Sequence, residues 1–555
     1  MSATQKKILA ILLVLSGVYF VLFIFPNLTG AQDPNMLSIF EIDEYAQYPH
    51  VLAMLTPGPT FYQTVRNFLI YLHYFYGYPF YFFSALAILP LKWIYGAGWQ
   101  SHTAVIVAVL RQFINVLPML AAVMLLVYIW TRFKSLWRSL GLLLLLLAVP
   151  AVVDNNLWWH PDSLAMLFVA LVFFFLDQDN QRFGRNFMLA AVFCGVAVGT
   201  KYMGVFFILA IPLYLVWGIL TGKIKWQYSL GLGALFVLVM AIAVVVSNPL
   251  LLLPQERAEL IRTQALQFQQ TTVGIVMKVT EPFFSLKSGY PQVFRINYGE
   301  LLFVLLALAG LVLGLVRSKN RLLNALVLAW IIPLTYSIDT AATRRSYYFI
   351  PVMLPLYCCL VNFFPEDGMS WIKTSLSSEK FGMWLNRLVP WLVGGLIVLQ
   401  AGLFLHTDIE DYLNTLNREK TSPSIIFYNE LETQLNTKLP GQKLVVYRDW
   451  HMYFPEREGK DVEIDWTLPN YAYLKELNPD LMLLEEDNIK AYSQPSAVSQ
   501  AVNPEDMKQT YAFYLDASKK QIAGYQLLLD SHFGAAYLRD NLYQTYFSNS
   551  GNETK

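Results

Sequence analysis

The feature that most restricts the fold of this chain is a set of apolar tracts too long for the core of a water-soluble domain. Residues 139–176 and 187–220 are almost continuous runs of Leu, Val, Ala and Phe. Because about 20 helical residues cross roughly 30 Å of hydrocarbon, each tract is long enough for two crossings. Each is also interrupted by a polar turn, at 154–162 and at 199–202. We interpret each tract as two membrane spans joined by its turn.

Composition supports the same conclusion and excludes other classes. Of the 555 residues, 56% are hydrophobic and 14% are charged, which is typical of a polytopic membrane protein. The net charge of +1 provides no broad basic field, so nucleic acid is not an expected partner. The three cysteines lie in apolar segments, and Cys358 and Cys359 are adjacent, so a disulfide framework is not expected.

Divided in this way, the sequence predicts eleven spans: 8–26, 104–130, 139–153, 163–177, 187–200, 203–221, 228–253, 299–316, 322–337, 349–364 and 388–406. Lys and Arg gather in alternate loops, as the positive-inside rule expects of cytoplasmic loops. These residues are Arg132, Lys134, Arg138, Arg182, Arg185, Lys223, Lys225, Arg317, Lys319, Arg321, Lys373, Lys380 and Arg387. The amino terminus is therefore predicted inside and the carboxyl terminus outside.

That orientation requires the aromatic segment 60–95 to lie along the outer membrane surface. If 79–95 crossed instead, every later loop would change sides. The predicted fold is thus a helical membrane domain, 1–406, with external loops at 27–103, 154–162 and 254–298, followed by a soluble external α/β domain at 407–555. In that tail, strands are predicted at 443–447 and 481–484 and helices at 470–477 and 505–519.

The first external loop contains a pair of carboxylates, Asp43 and Glu44, shortly after the first span. A positioned carboxylate can take the proton from a weakly acidic hydroxyl as that hydroxyl attacks, while a second acid orients a ligand. We therefore predict Asp43 and Glu44 as catalytic residues. The plain alternative is a hydrated surface loop.

The second external turn carries Asp154, His160 and Asp162 where a bare turn would be enough. Ionisable groups kept at one face of an apolar bundle are typical of a wet cavity that binds substrate or ions. A His beside carboxylates can also hold a divalent cation, but no spacing here is diagnostic of one. A divalent cation therefore stays open as a cofactor, with no metal ligand assigned.

Cations recur on the same predicted outer side. Arg344 and Arg345 precede Tyr347 at the start of the tenth span, and Lys201 and Tyr202 occupy the turn after the fifth. Guanidinium groups match phosphate oxygens in a bidentate manner, so we predict these residues as donor-binding. The alternatives are nonspecific contacts with lipid headgroups for the arginines and snorkelling to the interface for Lys201.

These motifs, in this order, resemble the GT-C membrane glycosyltransferases, especially the branch of the protein O-mannosyltransferases and the lipid A aminoarabinose transferase. The matching elements are Asp43-Glu44, Pro161-Asp162, the turn at 199–202, and Arg344-Arg345 with Tyr347 and Tyr348 before Pro351 and Pro355. The resemblance covers the membrane part; the first loop has Tyr78-Pro79-Phe80 where several relatives have a Lys-Pro-Pro-Leu or His-Pro-Pro-Leu signature.

The resemblance implies a polyprenyl-phosphate sugar as donor, a hydroxyl acceptor on a protein, lipid or envelope glycan, and inversion at the anomeric carbon. It implies that Asp43 is the base, that Lys201, Arg344 and Arg345 hold the phosphate, and that Glu44, His160 and Asp162 position the sugar or acceptor. It also implies an integral protein of a bacterial inner membrane, in contact with membrane lipids, with its site facing the periplasm or exterior. Two alternatives stay open: a transporter or flippase of a lipid-linked or anionic substrate, and a membrane anchor that displays the tail as a binding module.

Overall fold

The computed structural model describes residues 1–278, 290–317, 320–341, 345–364, 379–440, 443–455, 461–463 and 467–547. Several predicted features lie outside the described residues: Arg344, Lys319, Lys373 and the part of the loop 254–298 that runs from 279 to 289.

Apolar helices build the part of the chain before the tail. In chain order the α-helices are α1 Ala3–Asn27, α2 Pro34–Phe40, α3 Ile42–Leu55, α4 Phe61–Leu69, α5 Tyr78–Tyr95, α6 Thr103–Leu110, α7 Leu117–Thr131, α8 Leu136–Leu147, α9 Pro150–Asn155, α10 Asp162–Asp179, α11 Arg185–Lys201, α12 Ala210–Leu220, α13 Trp226–Ser247, α14 Pro254–Val273, α15 Tyr290–Tyr298, α16 Leu301–Arg317, α17 Arg321–Thr340, α18 Ile350–Cys358, α19 Glu379–Thr421 and α20 Pro423–Lys438. A π-helical segment, Arg111–Val116, joins α6 to α7 without a break.

Among the described residues, eight helical segments are long and apolar enough to cross a membrane, and a ninth is counted if α15 and α16, bent by 67°, act as one span. Helices α8, α10 and α11 are not among these eight, because each is either shorter or more highly charged than a helix of that kind. The sequence nevertheless predicts spans there. The number of spans and the sidedness therefore stay predictions, while the polytopic helical fold is confirmed.

The placement of helix α5 decides the predicted sidedness of every later loop. The sequence predicts that α5 lies along the membrane surface, but its length and composition would also allow it to cross the membrane. Its first turn lies against the end of α11, where the Gly77 amide donates to the Thr200 carbonyl at 3.2 Å. At its other end Tyr95 stacks on His102, just before α6, at a centroid distance of 3.9 Å. Helix α6 enters the π-helical segment only at Arg111, which pairs with Glu44 of the first loop. These contacts place the start of α5 beside the end of α11 and its end beside the start of α6, and the placement of α5 along the membrane surface stays a prediction.

The centre of the bundle is formed by α7, α10 and α11, and α13 packs along the outer side of α11 with only Ser229, Phe236 and Ala243 buried. Small residues of α11 allow this approach. A Cβ atom at Gly195 would collide with the backbone carbonyl of Met240 on α13, so glycine is needed at that contact.

The tail contains a five-stranded sheet of order β2-β1-β3-β5-β4. Its strands are β1 Val445–Arg448, β2 Asp461–Glu463, β3 Leu481–Glu485, β4 Tyr525–Asp530 and β5 Gly534–Arg539. Strand β1 runs parallel to β2 and β3, whereas β5 is antiparallel to β3 and β4. The tail helices are α21 Tyr471–Leu477, α22 Glu486–Tyr492, α23 Pro495–Gln500, α24 Pro504–Ser518 and α25 Asp540–Tyr546.

The small C-terminal α/β domain is therefore confirmed, and β1, β3, α21 and α24 overlap the predicted strands and helices. The predicted boundary after residue 406 falls inside α19, which continues to Thr421. The sequence becomes more polar after residue 406, where α19 leaves the apolar environment. The helix itself continues beyond that point.

Candidate active site

The two adjacent acids of the first loop lie in the first turn of α3. Carboxylates are favoured there because the helix N-terminus carries a partial positive charge. Successive helical residues point about 100° apart, so neighbours in sequence face different surroundings. The Asp43 side chain is 39% exposed, whereas that of Glu44 is fully buried.

Glu44 is occupied by internal partners. Arg111 donates from Nε to Oε1 at 2.8 Å and from Nη2 to Oε2 at 2.5 Å, and the Trp159 amide donates to Oε1 at 2.5 Å. Arg111 also donates to the carbonyls of Asn27 and Thr29 at 3.0 and 2.9 Å. The predicted catalytic role of Glu44 does not fit this placement, because a carboxylate without solvent access cannot reach a substrate. Its contacts assign it instead to joining the first loop to the bundle.

Arg111 was not among the predicted site residues, although the sequence contains a signal for it. It stands inside the apolar tract 104–130, and an ionisable residue in a predicted span is by default a candidate for function. Here it neutralises Glu44 where the helix locally widens into the π form.

His160 lies at the centre of a group of polar side chains. Its Nδ1 is hydrogen-bonded to Asp162, and its Nε2 lies 2.7 Å from the Tyr76 hydroxyl and 3.9 Å from Asp43. Burial and the nearby Lys201 cation lower the pKa of His160, which favours the neutral ring. Since a carboxylate only accepts, Nδ1 carries the proton in that ring, and Nε2 accepts from Tyr76.

Lys201 closes the cluster from the end of α11. Its Nζ donates to both oxygens of Asp162 at 2.7 Å and lies 5.2 and 4.9 Å from the ring centroids of Tyr347 and Tyr348. Tyr202, next in the chain, has φ 54° and ends the helix in the left-handed conformation. Its side chain is 45% exposed, so its predicted contact with substrate stays a prediction.

Asp154 and Arg345 interact electrostatically with each other, and Arg345 also interacts with Asp43. Asp154 is half-buried and hydrogen-bonded to the Ser346 side chain, while Arg345 is exposed. Glu41, which was not predicted, joins them: burial, then the charges of Glu44, Asp154 and Asp43, raise its pKa to about 8, and Arg345 opposes that rise. The cluster thus brings together Asp43, Asp154, His160, Asp162, Lys201, Arg345 and Tyr347 from the predicted set.

No group of three or more His, Cys, Asp or Glu side chains within the described ranges is arranged to hold a metal ion. An open pocket of about 500 Å³ lies between α2, α19 and the tail, lined in part by Phe40, Arg418, His451 and Glu485. The residues that line it do not include Asp43, His160 or Lys201, so it is separate from the cluster.

The cluster around Asp43 and the small α/β domain thus lie at the same end of the helical bundle. Comparison with solved structures identifies this fold in ArnT from Cupriavidus metallidurans bound to undecaprenyl phosphate. The two share 12% sequence identity and a TM-score of 0.52 over 97% of this chain and 98% of that one. The apo structure of the same ArnT matches with 13% identity and a TM-score of 0.49 over 95% and 97%.

No protein-family model matches the chain, and no curated protein matches it either. The predicted resemblance to the lipid A aminoarabinose transferase branch is confirmed at the level of the fold.

Proposed function

We propose that this protein is an inverting glycosyltransferase that moves a sugar from a polyprenyl-phosphate donor to a hydroxyl acceptor at the outer face of the membrane. The observation that carries the proposal is Asp43: its carboxylate is 39% exposed beside His160, whereas Glu44 and Asp162 are buried and paired with cations. The shared fold with an ArnT that binds undecaprenyl phosphate supports the class of donor.

In the proposed reaction the acceptor hydroxyl attacks the anomeric carbon from the face opposite the phosphate. The new C–O bond forms as the bond to the phosphate oxygen breaks, and the hydroxyl proton passes to Asp43. A single displacement of this kind inverts the anomeric carbon. The products are the glycosylated acceptor and polyprenyl phosphate, and Asp43 then returns its proton to water.

The leaving phosphate gains negative charge, and Arg345 and Lys201 provide the cations near Asp43. Lys201 keeps part of its donor capacity, because an ammonium has three hydrogens and Asp162 occupies those that face it. The His160–Asp162 pair holds Tyr76 and Lys201 in place, which keeps the cations pre-oriented before the donor arrives.

A transporter of a lipid-linked substrate is the second candidate, since an acid and cations at one end of a bundle could also bind such a lipid. Transporters typically place their binding groups near the bilayer midplane. In this protein the described cluster lies at helix ends, at the start of α10 and the end of α11, which favours transfer over transport.

The deciding experiment compares wild type, Asp43→Asn and the control Asp487→Asn in lipid nanodiscs. Asp487 is exposed on the tail, so the control makes the same chemical change away from the cluster. Radiolabelled polyprenyl-phosphate sugars are offered with a membrane extract as acceptor. We expect the Asp43 variant to lose about 10²- to 10⁴-fold in transfer rate while still binding donor, because general-base catalysis contributes about that much.

Full transfer by Asp43→Asn would remove Asp43 from the mechanism. Donor binding without turnover by wild type, for every sugar offered, would replace the proposal with the transporter, to be measured by lipid flux.

A further inference from the structure

The short helix α2 lies between the tail and the membrane domain. Asp33 caps it, with Oδ1 accepting from the amides of Asn35 and Met36 at 2.9 and 3.2 Å. The other carboxylate oxygen, Oδ2, accepts from the Tyr453 hydroxyl of the tail at 2.6 Å. Buried Arg448 of β1 donates from Nη2 to the Asn35 carbonyl at 3.3 Å. The tail therefore holds the beginning of α2 through two side chains.

The apolar side chains of α2 pack against both the tail and the membrane domain. Met36 is 5% exposed and belongs to the core of the tail, together with Phe427, Val446 and Phe454. Leu37, the next residue, is fully buried in the cluster of the membrane domain that contains Trp159. Since both faces are packed, α2 cannot shift without disturbing one of the two domains.

A second contact secures the segment just before α2. The Gly30 amide donates to Glu419 Oε1 of α19 at 2.5 Å, and Arg418 Nε donates to Thr29 Oγ1 at 3.2 Å. Gly30 has φ +70°, a left-handed conformation that favours glycine, and a Cβ there would displace the Arg418 guanidinium from its place against this turn.

Helix α2 leads directly into the proposed base. The Glu41 amide closes the helix on the Leu37 carbonyl at 2.8 Å, and Asp43 follows two residues later in the first turn of α3. Every contact that holds α2 therefore helps to determine where the Asp43 carboxylate lies. A displacement of about 1 Å in a reacting group is enough to cost a large factor in rate.

We propose that the tail sets the position of the first external loop, and so of Asp43, with Tyr453 and Arg448 as positioning residues. The role of Asp43 in this inference rests on the proposed function. The mechanical link between the tail and α2 does not, because it depends only on the contacts of α2.

The test is Tyr453→Phe, which removes the hydroxyl that contacts Asp33 and keeps the ring that packs edge-on to Tyr428 at 5.3 Å. The matched control is Tyr471→Phe, which removes a Tyr–Asp hydrogen bond of the same 2.6 Å length inside the tail, to Asp516. Each variant is studied as the full chain in nanodiscs, by amide hydrogen exchange over residues 34–45 and by transfer kinetics.

We expect Tyr453→Phe to speed exchange over 34–45 about three- to tenfold, since one hydrogen bond of this kind contributes about that factor to a local equilibrium. Transfer kcat should fall by a similar factor, and KM for the donor should stay within about twofold, because the cations are unchanged. The Tyr471 control should change neither quantity. Asp33→Asn, which keeps an oxygen acceptor, should fall between wild type and Tyr453→Phe.

Unchanged exchange over 34–45 in Tyr453→Phe would overturn the inference, as would equal effects of the two tyrosine variants. Faster exchange with unaltered kcat would show that α2 loosens without moving Asp43, which also overturns it. Exchange requires no turnover, so a wild type that transfers no sugar would remove the proposed function while the exchange result still decides the link between tail and loop.

Discussion

Replacing Glu44 by Gln separates a structural from a catalytic role for the acid next to Asp43. The variant keeps the size of the side chain but removes the charge that faces Arg111. One amide oxygen can still accept from Arg111 or from the Trp159 amide, whereas the amide nitrogen faces a guanidinium donor. The substitution thus leaves a buried guanidinium without its counter-ion.

The expected loss of stability follows from that unpaired charge. Breaking a buried ion pair by removing one partner costs about 3–5 kcal/mol, and both side chains here are fully buried. The double variant Glu44→Gln with Arg111→Met removes both charges, so it should cost about 1–3 kcal/mol less than the sum of the single changes.

Unfolding in mixed micelles with increasing SDS, followed by tryptophan fluorescence, gives these free energies. The control is Glu259→Gln, since Glu259 pairs with Arg262 at 3.6 Å with both side chains more than half exposed. That control should change stability by less than about 0.5 kcal/mol. A Glu44→Gln protein as stable as wild type, yet unable to transfer sugar, would refute the structural assignment and restore the catalytic one.

Three further predictions follow from single contacts. Arg345→Ala should weaken binding of a polyprenyl phosphate about tenfold in a nanodisc binding assay, because a charge-assisted contact contributes about that much; unchanged affinity would remove its phosphate role. Burial raises the pKa of Glu41 to about 8 from an ordinary 4.5, so stability should fall as pH rises through that window. Glu41→Gln should flatten this dependence in thermal melts, and an unchanged profile would contradict it. A Cβ at Gly77 would collide with the Gly199 carbonyl, whereas Gly98 faces open space. Gly77→Ala should therefore destabilise the protein by about 1–3 kcal/mol and Gly98→Ala should not, as measured by the same SDS unfolding.

Much of the architecture could be read from the order of residues because membranes impose a length and a polarity on each span. The broken tracts at 139–176 and 187–220 correspond to α8 to α12, and the chain leaves the helix at 156–161 and after Lys201, within each predicted turn. A further break between α8 and α9, inside the predicted span 139–153, was not predicted. The residues predicted in those turns, His160, Asp162 and Lys201, form one cluster with Asp43. Polar residues within otherwise apolar tracts were therefore a sufficient sequence signal to predict them as site residues.

The site residues that the sequence did not predict had little or no local sequence pattern to indicate their role. Tyr76 is one of many aromatic residues in 60–95, and nothing nearby indicates that its hydroxyl meets His160. Arg111 stood out as a charge in a span, but its partner is 67 residues away in the chain.

The sequence by itself determined that the chain is a polytopic helical membrane protein with polar turns between its apolar helices, because hydrophobicity and helix length act locally along the chain. It could not determine which acid of the pair faces the solvent. Adjacent helical residues always point apart, and only the packing of α3 against Arg111 and Trp159 decided that Glu44 is buried and Asp43 is accessible. The same is true of the tail, whose strands are local but whose contact with α2 depends on residues about 420 positions apart, from Asp33 to Tyr453. Such long-range pairing is a property of tertiary structure, since no local pattern specifies its partner.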